Sequence, residues 1–280
     1  MSTQTTLPTH RRWLLHLGVA IIVIYCLVPF YWMIVSAFRR PSDVGDKSPL
    51  PSPWSLGNFD AVFGPSVGFW RALGNSVIVA GTTTILTLIV GTFAAYTIAR
   101  LDFRFKNVVA GIIIATSMFP GVALLVPLLK LFTDIGWINS YQSMILPDLS
   151  FALPLAVWTL ATFFRQMPKE LEEAAMVDGL TRGAAFRKVI LPLAAPGMFT
   201  TAIITFIAAW NEFIIALTMV NEKDIQVATV TISQFTGASG FDSPFGTKMA
   251  AGVIVTVPLV IVVLIFQRRI IAGLTAGGVK

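Results

Sequence analysis

Few residues in this 280-residue chain could carry out covalent or metal chemistry. It contains one cysteine, Cys26, and two histidines, His10 and His16, which excludes a disulfide framework and a metal site built from several cysteines. The sequence lacks the G-x-x-x-x-G-K-[ST] pattern that cradles nucleotide phosphates, and its nearest approach is GDKS at 45–48. We therefore expect no catalytic residue and no cofactor in this chain. If ATP drives its function, another subunit must bind the nucleotide.

The segment Arg165–Pro196 has the most informative charge pattern. Pro168 suits the first turn of a helix, where its missing N–H costs nothing. Three acidic residues then favour the positive end of that helix: Glu170, Glu172 and Glu173. Spacing at i, i+3 and i+4 predicts one small apolar face, formed by Leu171, Ala174 and Ala175.

A glycine and a proline predict how this segment is divided. Gly179 is a natural helix stop, Thr181 can cap a second helix over Arg182–Leu191, and Pro192 ends it. Such a helix–turn–helix either lies on a membrane surface or docks on another protein. Its acidic first helix disfavours an anionic bilayer surface, so we expect a protein partner.

Six long apolar stretches account for most of the chain. Only 12% of all residues are charged, about half the ~25% usual in soluble domains. A spanning helix needs ~20 mostly apolar residues, and the six candidates contain just three charges, Lys130, Asp148 and Glu212. We therefore predict an all-α integral membrane protein with six transmembrane helices: Trp13–Phe38, Leu73–Ala99, Asn107–Leu131, Ser143–Phe164, Gly197–Val220 and Met249–Phe266.

Lysine and arginine predict that both termini are cytoplasmic. With that orientation, 13 of the 20 basic residues lie on the inner side and seven on the outer side, although Arg39 and Arg40 oppose the trend. The net charge of +6 then marks a membrane side and not a nucleic-acid partner.

The first apolar run is too long for a signal peptide, so we expect it to be retained. The predicted parts are a cytoplasmic N-terminus (1–12), a six-span region (13–267) with outer loops 39–72 and 221–248 and the cytoplasmic loop 165–196, and a cytoplasmic tail (268–280).

One ionisable side chain lies deep in a predicted span. Glu212 in lipid would be costly, so it should face a partner helix or a wet cavity. With Trp210 and Asn211 it offers an aromatic plane and hydrogen-bonding groups, which a sugar site uses. A structural hydrogen bond between helices is the alternative. Because successive helical residues differ by ~100°, we expect Asn211 and Glu212 to face a cavity and Trp210 to pack between helices. Asp148 we expect at the membrane interface.

The cytoplasmic segment also resembles a known family. Glu173-Ala174-Ala175, three residues, Gly179, nine residues and then Val189-Ile190-Leu191-Pro192 is similar to the EAA loop of ABC importer permeases, with Val189 in place of isoleucine. PSPWSLGNF at 51–59, WNEF at 210–213 and the tail at 273–280 resemble the smaller permease of maltose- and trehalose-type importers, the actinobacterial trehalose importer among them.

This resemblance implies an ABC type I importer permease fold in the bacterial inner membrane. It implies a second permease subunit, two cytoplasmic ATPases that bind ATP and Mg²⁺, and an external sugar-binding protein. It implies coupling residues that contact the ATPase: Glu172, Glu173, Ala174, Ala175, Asp178, Gly179 and Phe186. It also implies tail residues along the ATPase dimer, namely Gly273, Thr275, Gly277 and Gly278.

Two other function classes have weaker support. A secondary transporter needs ion-coupling residues and inverted repeats, but only Glu212 lies deep and no repeat is visible. An intramembrane enzyme needs a nucleophile or metal set at membrane depth, and no such set occurs in a predicted span. The second half of the third outer loop (234–240) is either a flexible arm for a partner or a passive connector.

Overall fold

A computed structural model describes the backbone of residues 9–43, 45–236 and 244–276, and the side chains within those ranges from residue 13 to residue 267. The described residues form helices and loops without a strand. The helices are α1 (Thr9–Ala37), α2 (Gly57–Val62), α3 (Phe69–Arg100), α4 (Lys106–Ser117), α5 (Gly121–Asp134), α6 (Tyr141–Gln166), α7 (Glu170–Val177), α8 (Arg182–Ala185), α9 (Leu191–Trp210), α10 (Ile214–Met219), α11 (Ala228–Ser233) and α12 (Phe245–Ala276).

The membrane-spanning pattern predicted from the sequence is confirmed in outline. Five described helical stretches are long and apolar enough to cross a bilayer: Trp13–Ala37, Phe69–Arg100, Tyr141–Gln166, Arg182–Trp210 and Phe245–Gln267. The predicted third and fifth spans are each interrupted; prolines within the spans, Pro120 among them, predict kinks, but the third span is divided outright.

The third span is two helices, α4 and α5, bent by 91°. Pro120 explains the break, because it lacks an N–H and disfavours helical backbone in the preceding residue. The hydroxyls of Thr116 and Ser117 donate to the carbonyls of Ile113 and Ile114 at 2.7 and 2.6 Å. These side chains add hydrogen bonds to the last turn of α4, where the regular helix ends.

The fifth span begins earlier and ends earlier than predicted. A turn of π-helix, Phe186–Ile190, joins α8 to α9, so Pro192 lies within a continuous helical stretch and does not end a helix. Pro192 has no N–H to donate within this stretch. A π-turn is one way in which a helix accommodates that missing hydrogen bond. At its far end α9 stops at Trp210, and α10 begins only at Ile214.

The chain divides into two compact units. The first comprises residues 1–67 and 234–256. Within its described residues, the Asn58 amide donates to the carbonyls of Ala37 and Arg39 at 3.0 and 2.7 Å. Arg39 is only 3% exposed and lies 5.0 Å from the Trp32 ring centroid. A buried asparagine and a buried arginine thus fix the chain as it leaves α1.

The second unit comprises residues 68–233 and 257–280. Helices α3, α6 and α9 pack against one another and form its centre. One buried cluster surrounds Val79, near the start of α3, and another surrounds Tyr96, near its end. At 1.5 Å per residue the two clusters are about 25 Å apart along α3. Apolar packing therefore stabilises this unit near both ends of α3.

Polar side chains fasten the segment after α10 to this unit. The Asn75 amide donates to the carbonyls of Asp224 and Gln226, both at 2.9 Å, and the backbone N–H of Ala228 donates to Ser76 Oγ at 2.9 Å. The first half of the predicted third outer loop is therefore held in place and contains α11. Residues 237–243 of the proposed flexible arm lie outside the described residues.

The loop between α6 and α9 is anchored on α3. The Tyr96 hydroxyl donates to Glu172 Oε1 at 2.6 Å, and Arg182 Nε lies 3.7 Å from the same oxygen. Arg100 donates to the carbonyl of Met167 at 2.9 Å. The rings of Tyr96 and Phe186 have centroids 4.4 Å apart. These contacts tie both halves of the loop to one spanning helix.

We predict that Gly197→Ala destabilises the second unit. A Cβ at Gly197 would lie 2.5 Å from Cγ of Phe163, so α9 and α6 would have to separate. Overpacking of this kind costs about 1–3 kcal/mol, and the thermal unfolding midpoint of the purified protein should fall by several degrees. Gly81→Ala in α3 is the control, because a Cβ there meets nothing within 4 Å. Equal midpoints for the two variants would contradict the predicted clash.

We predict that Tyr96→Phe loosens the anchored loop. The substitution leaves the buried Glu172 carboxylate without its hydroxyl donor, which costs about 1–3 kcal/mol. If local opening limits cleavage, trypsin should cut the loop roughly tenfold faster or more, since 1.4 kcal/mol is a factor of ten. Tyr25→Phe, at an exposed position on α1, is the matched control. An unchanged cleavage rate in Tyr96→Phe would show that this hydrogen bond does not hold the loop.

Candidate functional site

The loop predicted to couple to a partner is a helix, a glycine turn and a second helix. Gly179 has φ of +87°, a left-handed conformation in which a side chain would be strained. The N–H of Leu180 donates to the carbonyl of Ala175, and that of Gly179 donates to Met176, both at 3.1 Å. This pair of bonds is the Schellman arrangement. Thr181 Oγ1 accepts from the N–H of Ala184 at 3.3 Å, as its position predicts.

The predicted coupling residues divide into an inner and an outer set. Buried against the spanning helices lie Glu172, Ala175 and Phe186. Exposed on the other side lie Glu173, Ala174, Asp178 and Gly179. The single small apolar face expected from the sequence is therefore wrong, because Ala175 points inward while Leu171 and Ala174 are exposed.

The exposed side of α7 combines acidic and apolar groups. Val177 is 88% exposed and lies between the carboxylates of Glu173 and Asp178 in sequence. An isolated exposed valine is ordinary, but here it stands at the end of a short helix whose inner side is fixed by hydrogen bonds. This surface can therefore offer a shaped apolar contact flanked by negative charge to a basic partner. Its inner residues hold it in position.

Trp210, Asn211 and Glu212, at the end of α9, have three different surroundings in the structure. Trp210 is buried, with 2% exposure, as expected for the residue that packs between helices. Its ring stacks on Phe206 with centroids 5.6 Å apart. Asn211 is exposed, and its amide donates to the carbonyl of Ile207 at 2.7 Å. Of the three, Glu212 lines a cavity.

Glu212 also holds the break between α9 and α10. Its carboxylate accepts from the N–H groups of Ile215 and Ala216 at 2.8 and 3.1 Å. Its carbonyl accepts from the Thr229 hydroxyl at 2.8 Å. Glu212 thus lines a cavity, as expected, and its carboxylate makes local hydrogen bonds to the start of α10 and not the hydrogen bond between helices that was the alternative.

Asp148 was not among the residues that the sequence assigned to this site. Its place near one end of an apolar stretch suggested the membrane interface, but the side chain is only 7% exposed. It lines the same cavity as Glu212. The charge itself was a visible signal, but pairing it with Glu212 required knowing that α6 packs beside α9.

The predicted tail residues are described only in part. Gly273 and Thr275 lie on the backbone of α12, which continues as far as Ala276. Gly277 and Gly278 lie outside the described residues. Within the part of the chain that the structure describes, no group of three or more His, Cys, Asp or Glu residues could hold a metal ion.

Known proteins resemble this chain in sequence and in fold. Residues 87–275 match the family described as "binding-protein-dependent transport system inner membrane component". The trehalose transport system permease protein SugB of Mycobacterium tuberculosis is 43% identical over 260 residues, which cover 93% of this chain and 94% of that protein. The trehalose/maltose transport system permease protein MalG of Thermococcus litoralis is 41% identical over 273 residues, or 96% and 97% of the two chains.

Two crystal structures share the fold. One is a bacterial ABC transporter involved in import of the acidic polysaccharide alginate, with a TM-score of 0.77 and 19% identity over 95% of this chain and 99% of that one. The other is a bacterial alginate ABC transporter in complex with a pentasaccharide-bound periplasmic protein, with a TM-score of 0.68 and 18% identity over 93% and 96% of the chains. The family match, these folds and the apolar helices lead to one conclusion: the chain belongs to the binding-protein-dependent transport system inner membrane component family, the multi-pass permeases of ABC importers.

Proposed function

We propose that this chain is the smaller permease of an ATP-driven importer for a disaccharide such as trehalose or maltose. Two similar permeases are named for trehalose and for trehalose/maltose transport, at 43% and 41% identity along nearly the whole chain. The family match gives no support to a secondary transporter that works without an ATPase. In this proposal the chain forms part of the path for the sugar and catalyses no reaction.

The anchored α7 surface is the observation that supports coupling to an ATPase. Its outer side presents Glu173, Ala174, Val177 and Asp178, while Glu172 ties its inner side to Tyr96 on α3. A movement of a partner seated on this surface would therefore reach a spanning helix through a hydrogen bond and a buried aromatic contact. A loop attached only by its ends would absorb such a movement.

The proposed assembly contains this chain, a second permease, two cytoplasmic ATPases and an external sugar-binding protein, within a lipid bilayer and without nucleic acid. The ATPases bind ATP and Mg²⁺, and this chain binds neither. Both termini and the loop 165–196 face the cytoplasm in this arrangement. The tail residues Gly273, Thr275, Gly277 and Gly278 follow the last span and lie along the ATPase pair.

Charge reversal on α7 tests the coupling. We predict that Glu173→Lys abolishes sugar-stimulated ATP hydrolysis by the reconstituted complex, because an exposed carboxylate that pairs with a basic partner becomes repulsive. Membrane insertion should be unchanged, since the side chain is exposed on the outer side of α7. Stimulated hydrolysis is measured with the binding protein and trehalose or maltose in proteoliposomes.

Asp102→Lys is the matched control, because it makes the same charge change at an exposed site in the loop after α3. The exposed ion pair that Asp102 forms with Lys106 at 3.3 Å contributes little to stability, about 0–1 kcal/mol. That loop lies on the same proposed side of the membrane. Stimulated hydrolysis should remain close to the unsubstituted level in this control. Normal stimulation in Glu173→Lys, or equal loss in both variants, would contradict the assignment of α7 as the coupling helix.

The substrate class has its own test. Proteoliposomes that contain the complete complex should accumulate radiolabelled trehalose or maltose only when ATP is supplied to the ATPase side. Accumulation of neither disaccharide would contradict the proposed substrate, whereas accumulation without ATP would contradict the proposed mechanism.

A further inference from the structure

A cavity of about 360 Å³ lies in the second unit between α5, α6, α9 and the start of α10. Its volume is within the ≈ 300–1,000 Å³ range of small-molecule sites. Most of its walls are apolar, and Phe151 contributes an aromatic ring. Three polar side chains interrupt those walls: Asp148, Thr205 and Glu212.

The two carboxylates in the cavity are in different states of hydrogen bonding. Glu212 accepts from two backbone N–H groups at the start of α10. Asp148 is only 7% exposed, and it accepts no hydrogen bond from any residue in the described ranges. Thr205, also buried, donates to no described residue. Burying such groups without partners costs free energy, so the cavity presents polar groups in need of a partner.

The composition of the walls indicates what kind of ligand fits. A metal ion would need more oxygen ligands, and the described residues contain no group of three acidic or metal-binding side chains. A purely apolar ligand would leave the Asp148 carboxylate unpaired. A sugar ring carries hydroxyl donors around its edge and C–H groups on its faces, which match a carboxylate and an aromatic ring in one cavity.

We propose that this cavity binds one sugar residue of the transported disaccharide, with hydroxyl groups donating to Asp148 and Thr205 and a ring face on Phe151. The inference rests on the proposed function and adds to it a site within this permease. Glu212 borders the site and keeps its shape by fixing the start of α10. Asp148 is then the principal acceptor for the sugar.

Protection of a cysteine against alkylation tests this site. The probe is Ala152→Cys in a Cys26→Ala background, within the complex of permeases and ATPases without the binding protein, since Ala152 lines the cavity. A water-soluble maleimide should label it, and saturating trehalose or maltose should slow labelling about tenfold in at least one nucleotide state. Gln142→Cys, at an exposed position on the same helix, should be labelled at the same rate with and without sugar.

Asp148→Asn should raise the sugar concentration needed for protection roughly three- to tenfold, because the amide replaces one acceptor oxygen with an N–H donor and a buried hydrogen bond contributes ~0.5–1.5 kcal/mol. Thr205→Val, which nearly preserves shape, should raise it less. If Asp148→Asn fails to assemble, Thr205→Val decides the matter. Unchanged protection in the assembled variants would overturn the site, as would a lack of protection in every nucleotide state.

The uptake assay separates this inference from the proposed function. Uptake of a disaccharide without protection of Cys at position 152 would overturn the site and leave the function in place. Protection without uptake would support the site and contradict the proposed transport. A cavity that a side chain of the second permease fills would leave the cysteine unlabelled with and without sugar, and this outcome also overturns the proposal.

Discussion

The bilayer core supplies no water, so every interruption of a spanning helix needs hydrogen bonds from the protein itself. This constraint explains where the chain can depart from regular helix. At the end of α9 the Glu212 carboxylate accepts from backbone N–H groups at the start of α10, and the Thr229 hydroxyl donates to the Glu212 carbonyl. The Asn211 side-chain amide adds a second donor to the Ile207 carbonyl, beside the backbone N–H of Asn211 itself. At the end of α4 the hydroxyls of Thr116 and Ser117 have the same role. Polar residues in this chain therefore mark the breaks in its helices.

Buried polar contacts also connect the loop 165–196 to the cavity. Tyr96 on α3 holds Glu172 in the loop, and α3 packs on both α6 and α9, which supply walls of the cavity. A force on α7 would reach α3 through a buried bond that is costly to break in a medium of low dielectric. The loop is thus fixed to the helices that a transport cycle has to move. All of these residues lie in the second unit.

Apolar length and charge were enough to predict the spans, the all-α class and the glycine turn at Gly179. They indicated a kink at Pro120 but not a bend of 91° between α4 and α5, because a proline in an apolar run bends, kinks or only weakens a helix according to its neighbours. Pro192 shows the same limit, since a π-turn accommodates it within one continuous helical stretch. Likewise, helical spacing placed Ala174 and Ala175 on one face, but only the second is buried, on the side where α7 packs against α8 and the π-turn Phe186–Ile190.

Arg39 shows how a charge count can misjudge a side chain. In the sequence it opposes a cytoplasmic N-terminus, because a basic residue directly after the first span suggests that this end of the helix lies inside. In the structure its guanidinium group is buried beside Trp32 and donates to the carbonyl of Ser48. The fold thus gives this charge a structural role independent of the membrane side. Of its three guanidinium nitrogens only Nη2 is hydrogen-bonded, since Nε and Nη1 have no partner among the described residues. The position of this buried charge is therefore set by packing within the first unit, and without Arg39 the remaining basic residues divide 13 to six in favour of the proposed orientation.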